Sequence, residues 1–133
     1  MKLIVCLDDK NGMAFNRRRQ SRDRVLIEDL CRTVGEEPIY LSPYSASLFA
    51  STGAKTVAVE DPLGVSGEHC CFVETVDPAP YGELIDEIIL YRWNRHYPAD
   101  VTFTLDMSGY RLISADEFVG SSHEKITKEV WKK

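Results

Sequence analysis

The chain has 133 residues, of which 44% are apolar and 28% charged, enough to build one sizeable core and too apolar for intrinsic disorder. No apolar run approaches the roughly 20 residues of a membrane-spanning helix. The net charge of −5 argues against a general nucleic-acid binder steered by its overall field.

Met1–Asp9 opens with an apolar run too short for a signal peptide and without a small-residue cleavage pattern, so a cytoplasmic protein is expected. Lys2 to Leu7 reads as a strand buried on both faces, closed by the turn residues Asp8-Asp9-Lys10-Asn11-Gly12. A polar, basic loop follows, from Asn11 to Asp23. Ser21 is a plausible N-cap for a helix from about Arg22 to Val34, because Leu26, Ile27, Leu30, Cys31 and Val34 recur at helical spacing and Gly35 supplies a stop.

Pro38 to Leu41 is predicted as a second strand. Ser42-Pro43 cap and start a helix from Tyr44 to Thr52, closed by Gly53. Lys55 to Glu60 and His69 to Glu74 read as the third and fourth strands, separated by a loop. A short helical turn runs from Asp77 to about Ile85. Strands are expected over Glu87–Trp93, Val101–Leu105, Tyr110–Ser114 and Ile126–Trp131, the last with one wet face. Strands alternating with helices favour a sheet with parallel neighbours, and the strand-rich second half favours antiparallel additions. The expectation is one α/β domain over residues 1–133, with a mixed, mostly parallel sheet.

Cys6, Cys31, Cys70 and Cys71 lack metal-type spacing and read as reduced thiols, with the adjacent Cys70 and Cys71 on opposite strand faces. His69, His96 and His123 have no ligand spacing, so no metal site is expected. The chain has no G-x-S-x-G, Walker or H-x-H-x-D-H motif, which sets aside hydrolase, nucleotidase and zinc-nuclease readings on motif grounds.

The basic loop carries Arg17, Arg18, Arg19, Arg22 and Arg24. Guanidinium forks bind phosphate and carboxylate in bidentate fashion, and a helix start beside them adds main-chain donors. Asn16 and Gln20 would add amide contacts. The same arginines also suit a solvated loop that salt-bridges the acidic surplus. Asp23, on one face with Ile27, Leu30 and Val34, reads either as a first-turn carboxylate favoured by the helix dipole or as a desolvated acid of raised pKa. Tyr91-Arg92-Trp93-Asn94-Arg95-His96-Tyr97 mixes aromatics with cations, the pattern of a nucleotide-stacking face or of a wet strand.

Taken over nearly its whole length, the chain resembles the dihydrofolate reductase family. Leu3-Ile4-Val5 followed by Asn11-Gly12 and a loop into a helix is similar to that family's first strand, mobile loop and first helix. Ser21-Arg22-Asp23 falls where the family opens that helix with an acid beneath the pterin. Pro38 to Leu41 with Ser42-Pro43-Tyr44-Ser45 is similar in position to the family's strand and glycine-arginine-x-threonine helix start. Asp86 to Arg92, Ala99 to Phe103 and Lys125 to Trp131 resemble its later strands. The chain departs from the family in several places: it is shorter, and Arg17 to Arg19 lie where a tryptophan usually precedes the helix. Ser42-Pro43 replaces the glycine and arginine, Glu74-Thr75 stands where twin glycines admit the nicotinamide dinucleotide, and Tyr91 stands for a small hydroxyl residue that bonds the acid. No nicotinamide cofactor is therefore expected.

The resemblance implies a pocket at the carboxyl ends of the strands, as open α/β sheets prefer. The expected function is binding of a small anionic or nucleotide-like ligand between the Arg17–Asp23 loop and Ser42–Ser45. Asp23 is the candidate catalytic acid. Asn16, Arg17, Arg18, Arg19, Gln20, Ser45 and Tyr91 are the candidate ligand contacts. The alternative is a nucleic-acid-binding module that uses the arginines with Trp93 and Tyr97.

Overall fold

Alternation decides where the first strand goes. In β1 (Lys2–Leu7), Leu3, Val5 and Leu7 enter one core while Ile4 enters another, so the strand is buried on both faces. The computed structural model describes residues 1–133. After β1 come β2 (Gly12–Phe15), β3 (Arg18–Arg19), helix α1 (Arg24–Val34), β4 (Ile39–Leu41), helix α2 (Pro43–Ala46), β5 (Thr56–Ala58), β6 (Cys70–Phe72), β7 (Glu87–Arg92), β8 (Val101–Thr102), β9 (Arg111–Phe118) and β10 (Ile126–Lys132).

Seven strands form one sheet in the order β5-β4-β6-β1-β7-β10-β9. The first five are mutually parallel, and β10 lies antiparallel to both of its neighbours. The mixed, mostly parallel α/β sheet with antiparallel C-terminal strands is thus as the sequence predicts. The α1 side of the sheet holds Leu26, Ile27, Leu30 and Val34 against Ile4, Phe72, Ile89 and Tyr91. The opposite side holds Leu3, Val5, Leu63, Cys71, Ile88, Leu90 and Phe103. Each such side chain, fully buried, contributes about 1.5–3 kcal/mol. Cys70 and Cys71 do fall on opposite faces, and all four thiols are free.

Several expectations change. The basic stretch is a hairpin, with β2 and β3 antiparallel and Asn16-Arg17 as its two-residue turn. Both turn residues have positive φ, 53° and 63°, the requirement of a type I′ turn. β8 pairs with β2 to complete this small sheet. The second helix stops after one turn and continues as a 3₁₀ turn, Ser47–Phe49. β5, β6 and β8 are shorter than predicted, and β9 reaches Phe118. β10 has no wet face: Thr127 to Trp131 are all half-buried. The strand lies between β7 and β9, and its charges are neutralised by Asp29 of α1, 3.0 Å from Lys128, and by Arg92 of β7, 2.9 Å from Glu129. No helix is long and apolar enough to cross a membrane.

Candidate functional site

The chain leaves β3 and stays extended to Asp23 (φ −152°, ψ 124°), which caps α1 in place of Ser21. The helix accordingly starts at Arg24, two residues later than predicted. Asp23 Oδ1 accepts from the N–H groups of Val25 (3.0 Å) and Leu26 (3.2 Å), satisfying donors that an uncapped helix leaves bare. The rest of its capacity is filled by the turn between β9 and β10. Ser121 N–H donates to Oδ1 at 2.9 Å, while Ser122 N–H at 2.8 Å and His123 Nδ1 at 2.9 Å reach Oδ2. Gly120 is required here, because a Cβ at that position would lie 2.3 Å from Asp23 Oδ2.

The Asp23 side chain is fully buried and that of His123 is 2% exposed. Burial pushes the Asp23 carboxyl up. The hydrogen bonds from Ser122, His123, Ser121 and Leu26 outweigh that and hold it well below the usual carboxylate range. Of the two readings of Asp23, the desolvated acid of raised pKa is overturned: the site stabilises a carboxylate.

Since that carboxylate only accepts, His123 Nδ1 is the donor of this bond, and in the neutral imidazole Nε2 is the acceptor. The imidazole stacks on Trp93 with ring centroids 4.5 Å apart and planes 25° from parallel. Nε2 lies 3.1 Å from Ser21 Oγ and 3.0 Å from the Tyr97 hydroxyl. His123 is the residue sequence reasoning missed. Its signal was the polar turn Gly120-Ser121-Ser122-His123 between two strands.

A second cluster closes the carboxyl ends of β4 and β6. Arg19 Nε donates to Glu74 Oε2 at 2.8 Å and its Nη2 to Oε1 at 3.1 Å, a bidentate pair. Ser45 Oγ donates to Glu74 Oε1 at 2.7 Å, and the Arg19 guanidinium lies 4.3 Å from the centre of the Tyr44 ring. Burial lowers the Arg19 pKa, and the bonds and charge of Glu74 more than reverse that. Glu74 therefore pairs with a guanidinium.

Two clefts flank Ser21-Arg22-Asp23. One, of about 330 Å³, brings together Asn16, Arg18, Arg19 and Gln20 with Phe15 and Tyr97. The other, of about 830 Å³, runs along the outer face of α1, where Arg22, Arg24 and Arg32 meet the hydroxyls of Ser51, Thr52 and Ser121. Arg17 is exposed at the hairpin tip. Gln20 Nε2 is held by Asp8 Oδ2 at 3.0 Å and the Pro98 carbonyl at 3.2 Å.

Tyr91 borders neither cleft. Its register opposite Cys6 turns the ring beneath α1, where its hydroxyl donates to Asp29 Oδ2 at 2.6 Å rather than to Asp23. Trp93 is 4% exposed with a face covered by His123. It offers no ring surface for stacking on a base, so of the two aromatics in the nucleic-acid alternative only Tyr97, which lines the smaller cleft, stays accessible.

No family model and no curated protein matches the chain. Among solved structures it is similar to dihydrofolate reductase from Enterococcus faecalis complexed with NADP(H) and RAB-propyl. The TM-score is 0.66 at 9% identity, covering 98% of this chain and 94% of that one. Where the sequence resemblance implies a heterocycle over Asp23, both carboxylate oxygens are bonded to the chain itself. Where it implies twin glycines after β6, Glu74 stands. With the element order, sheet and fold-level likeness in agreement, the chain has the dihydrofolate reductase fold.

Proposed function

We propose that the protein binds a small anionic or nucleotide-like ligand at the Arg17–Asp23 segment and does not reduce dihydrofolate with NADPH. One observation carries the reading. The arginines in ion pairs are Arg19, Arg24, Arg32 and Arg92, so Arg17, Arg18 and Arg22 have no carboxylate within 4.0 Å in a chain holding 21 acidic residues. Unpaired guanidinium forks beside clefts attract carboxylate or phosphate, with the hydroxyls of Ser51 and Ser121 as further donors. Asn16 and Gln20 line the smaller cleft, whereas Ser45 is buried with its hydroxyl on Glu74 and would act only through that carboxylate. The case against the reductase rests on Glu74: its buried carboxylate, locked to Arg19 and Ser45, opposes a pyrophosphate by both sterics and charge.

Isothermal titration with nucleotides, folates, citrate and NADPH at low salt tests this. Heat is expected from an anionic compound, falling at least about tenfold in affinity for Arg22→Ala or Arg18→Ala. NADPH is expected to give neither heat nor oxidation with dihydrofolate. A folded sample silent to every anion overturns the binding half, and NADPH consumption overturns the other.

A further inference from the structure

Ser21, His123 and Asp23 are joined in the order of an activated nucleophile. Ser21 Oγ is 3.1 Å from His123 Nε2, and His123 Nδ1 is 2.9 Å from Asp23 Oδ2. Such a constellation is recognised by geometry and not by sequence order, so the missing G-x-S-x-G does not exclude it. The imidazole cannot swing away without leaving Trp93, and the Asp23 bonds to Ser121 and Ser122 fix the carboxylate that orients it. Ser21 is half-buried, with its chain neighbours Gln20 and Arg22 lining the smaller and the larger cleft. The main-chain N–H groups of Ser21 and Arg22 donate to no group of the protein, leaving two donors next to the hydroxyl for a developing oxyanion.

We infer that Ser21 is a nucleophile that takes up the acyl group of a small carboxylic ester bearing a negatively charged arm, with His123 as general base and Asp23 as its positioning residue. The anionic arm rests on the ligand reading above, since Arg22 adjoins Ser21 and has no carboxylate partner. Ser21 Oγ attacks the ester carbonyl carbon as its proton passes to Nε2, and the carbonyl electron pair moves onto oxygen. Collapse breaks the bond to the alcohol oxygen, which leaves with the proton from Nε2 and yields acyl-Ser21. Water, deprotonated by Nε2, repeats the sequence and releases the carboxylic acid. Ester and water become acid and alcohol with no redox change. Tyr97 competes with Ser21 for the single Nε2 lone pair, at 3.0 Å, and its hydroxyl lies 3.5 Å from Ser21 Oγ. The test therefore has to separate the two hydroxyls.

The full chain is treated with an alkyl fluorophosphonate and followed by intact mass and peptide mapping. One adduct with loss of fluoride is expected on Ser21, absent in Ser21→Ala and formed at least about 100-fold more slowly in His123→Gln. In Asp23→Asn the rate should fall and its pH profile shift, an effect that a merely structural acid would not give to a folded sample. No adduct on folded protein, an adduct untouched by Ser21→Ala, or an adduct on Tyr97 lost in Tyr97→Phe overturns the proposal. A second arm compares mono-p-nitrophenyl succinate with p-nitrophenyl acetate. Faster turnover of the succinate, with the advantage lost in Arg22→Ala, supports both readings. Equal turnover of the two esters through Ser21, unchanged in Arg22→Ala, keeps the nucleophile and overturns the anionic arm.

Discussion

Replacing Asp23 with Ala should be among the most damaging single changes available to this fold. The substitution strips Val25 and Leu26 of their cap, worth about 0.5–2 kcal/mol, and leaves Ser121 N–H, Ser122 N–H and His123 Nδ1–H without their acceptor. The Leu26 and His123 donors are buried and regain little from water, while those of Ser121 and Ser122 border the cleft, and removing the acceptor of such a group costs about 3–5 kcal/mol in all. A domain of this size loses roughly 3–5 °C of Tm per kcal/mol, so a fall of about 10–20 °C is expected. Urea unfolding followed by circular dichroism at pH 7 measures the difference directly. The pH dependence gives an independent check. The folded-state pKa of Asp23 is lowered, so its contribution is fully present above the unfolded value of about 3.9 and is lost as pH falls through the folded value. The gap between wild type and Asp23→Ala should therefore narrow as pH falls from about 5 toward 2. A gap below about 1 kcal/mol at pH 7, or one that stays constant on acidification, would refute the reasoning.

Three further outcomes are expected. Arg17→Gly should stabilise by about 0.5–1 kcal/mol in urea unfolding, because Arg17 holds a φ of 63° in a turn whose second position favours glycine. Glu74→Gln should cost about 2 kcal/mol, and a double-mutant cycle with Arg19→Met should return a coupling above roughly 1 kcal/mol, because the two side chains are only 17% and 8% exposed. Iodoacetamide at pH 8 should label Cys31 first, since burial pushes Cys70 and Cys71 up to about 12 and Cys6 higher than its ordinary value. Cys31 lines the larger cleft, so a bound anion should slow that labelling, as peptide mass mapping would show.

The parts of the fold legible in the sequence are those in which one local pattern decides the outcome. Runs such as Leu3–Leu7 and Ile88–Leu90 are buried on both faces, and the 3.6-residue spacing from Leu26 to Val34 has one dry face, so each announces itself. Ser42-Pro43 starts its helix as predicted because cap and proline are adjacent. The hairpin was hidden because its turn is Asn16-Arg17, without the glycine that usually marks a type I′ turn. Ser21 and Asp23 are both good capping residues two positions apart. Asp23 wins because Ser121, Ser122 and His123 arrive from about a hundred residues away to complete it, which no local window contains. For the same reason the sequence marks Asp23 as important while leaving its protonation open between two readings. A buried acid reads as raised in pKa until its donors are located, and here the donors lie at the far end of the chain.

That distant cap also orders the assembly of the molecule. While the chain is being made, α1 emerges early but cannot receive the amides of residues 121–122 until the turn between β9 and β10 has formed, and β10 must then enter between β7 and β9. Contacts spanning most of the chain carry the full cost of loop closure before they give any return, so this step is slow compared with local helix formation. A nascent or clipped chain ending before Gly120 would expose the edge of β7 and leave the Asp23 carboxylate without its donors from Ser121, Ser122 and His123. Such a species would be prone to pair with other chains through that edge. The last fourteen residues thus act as a completion signal for the fold.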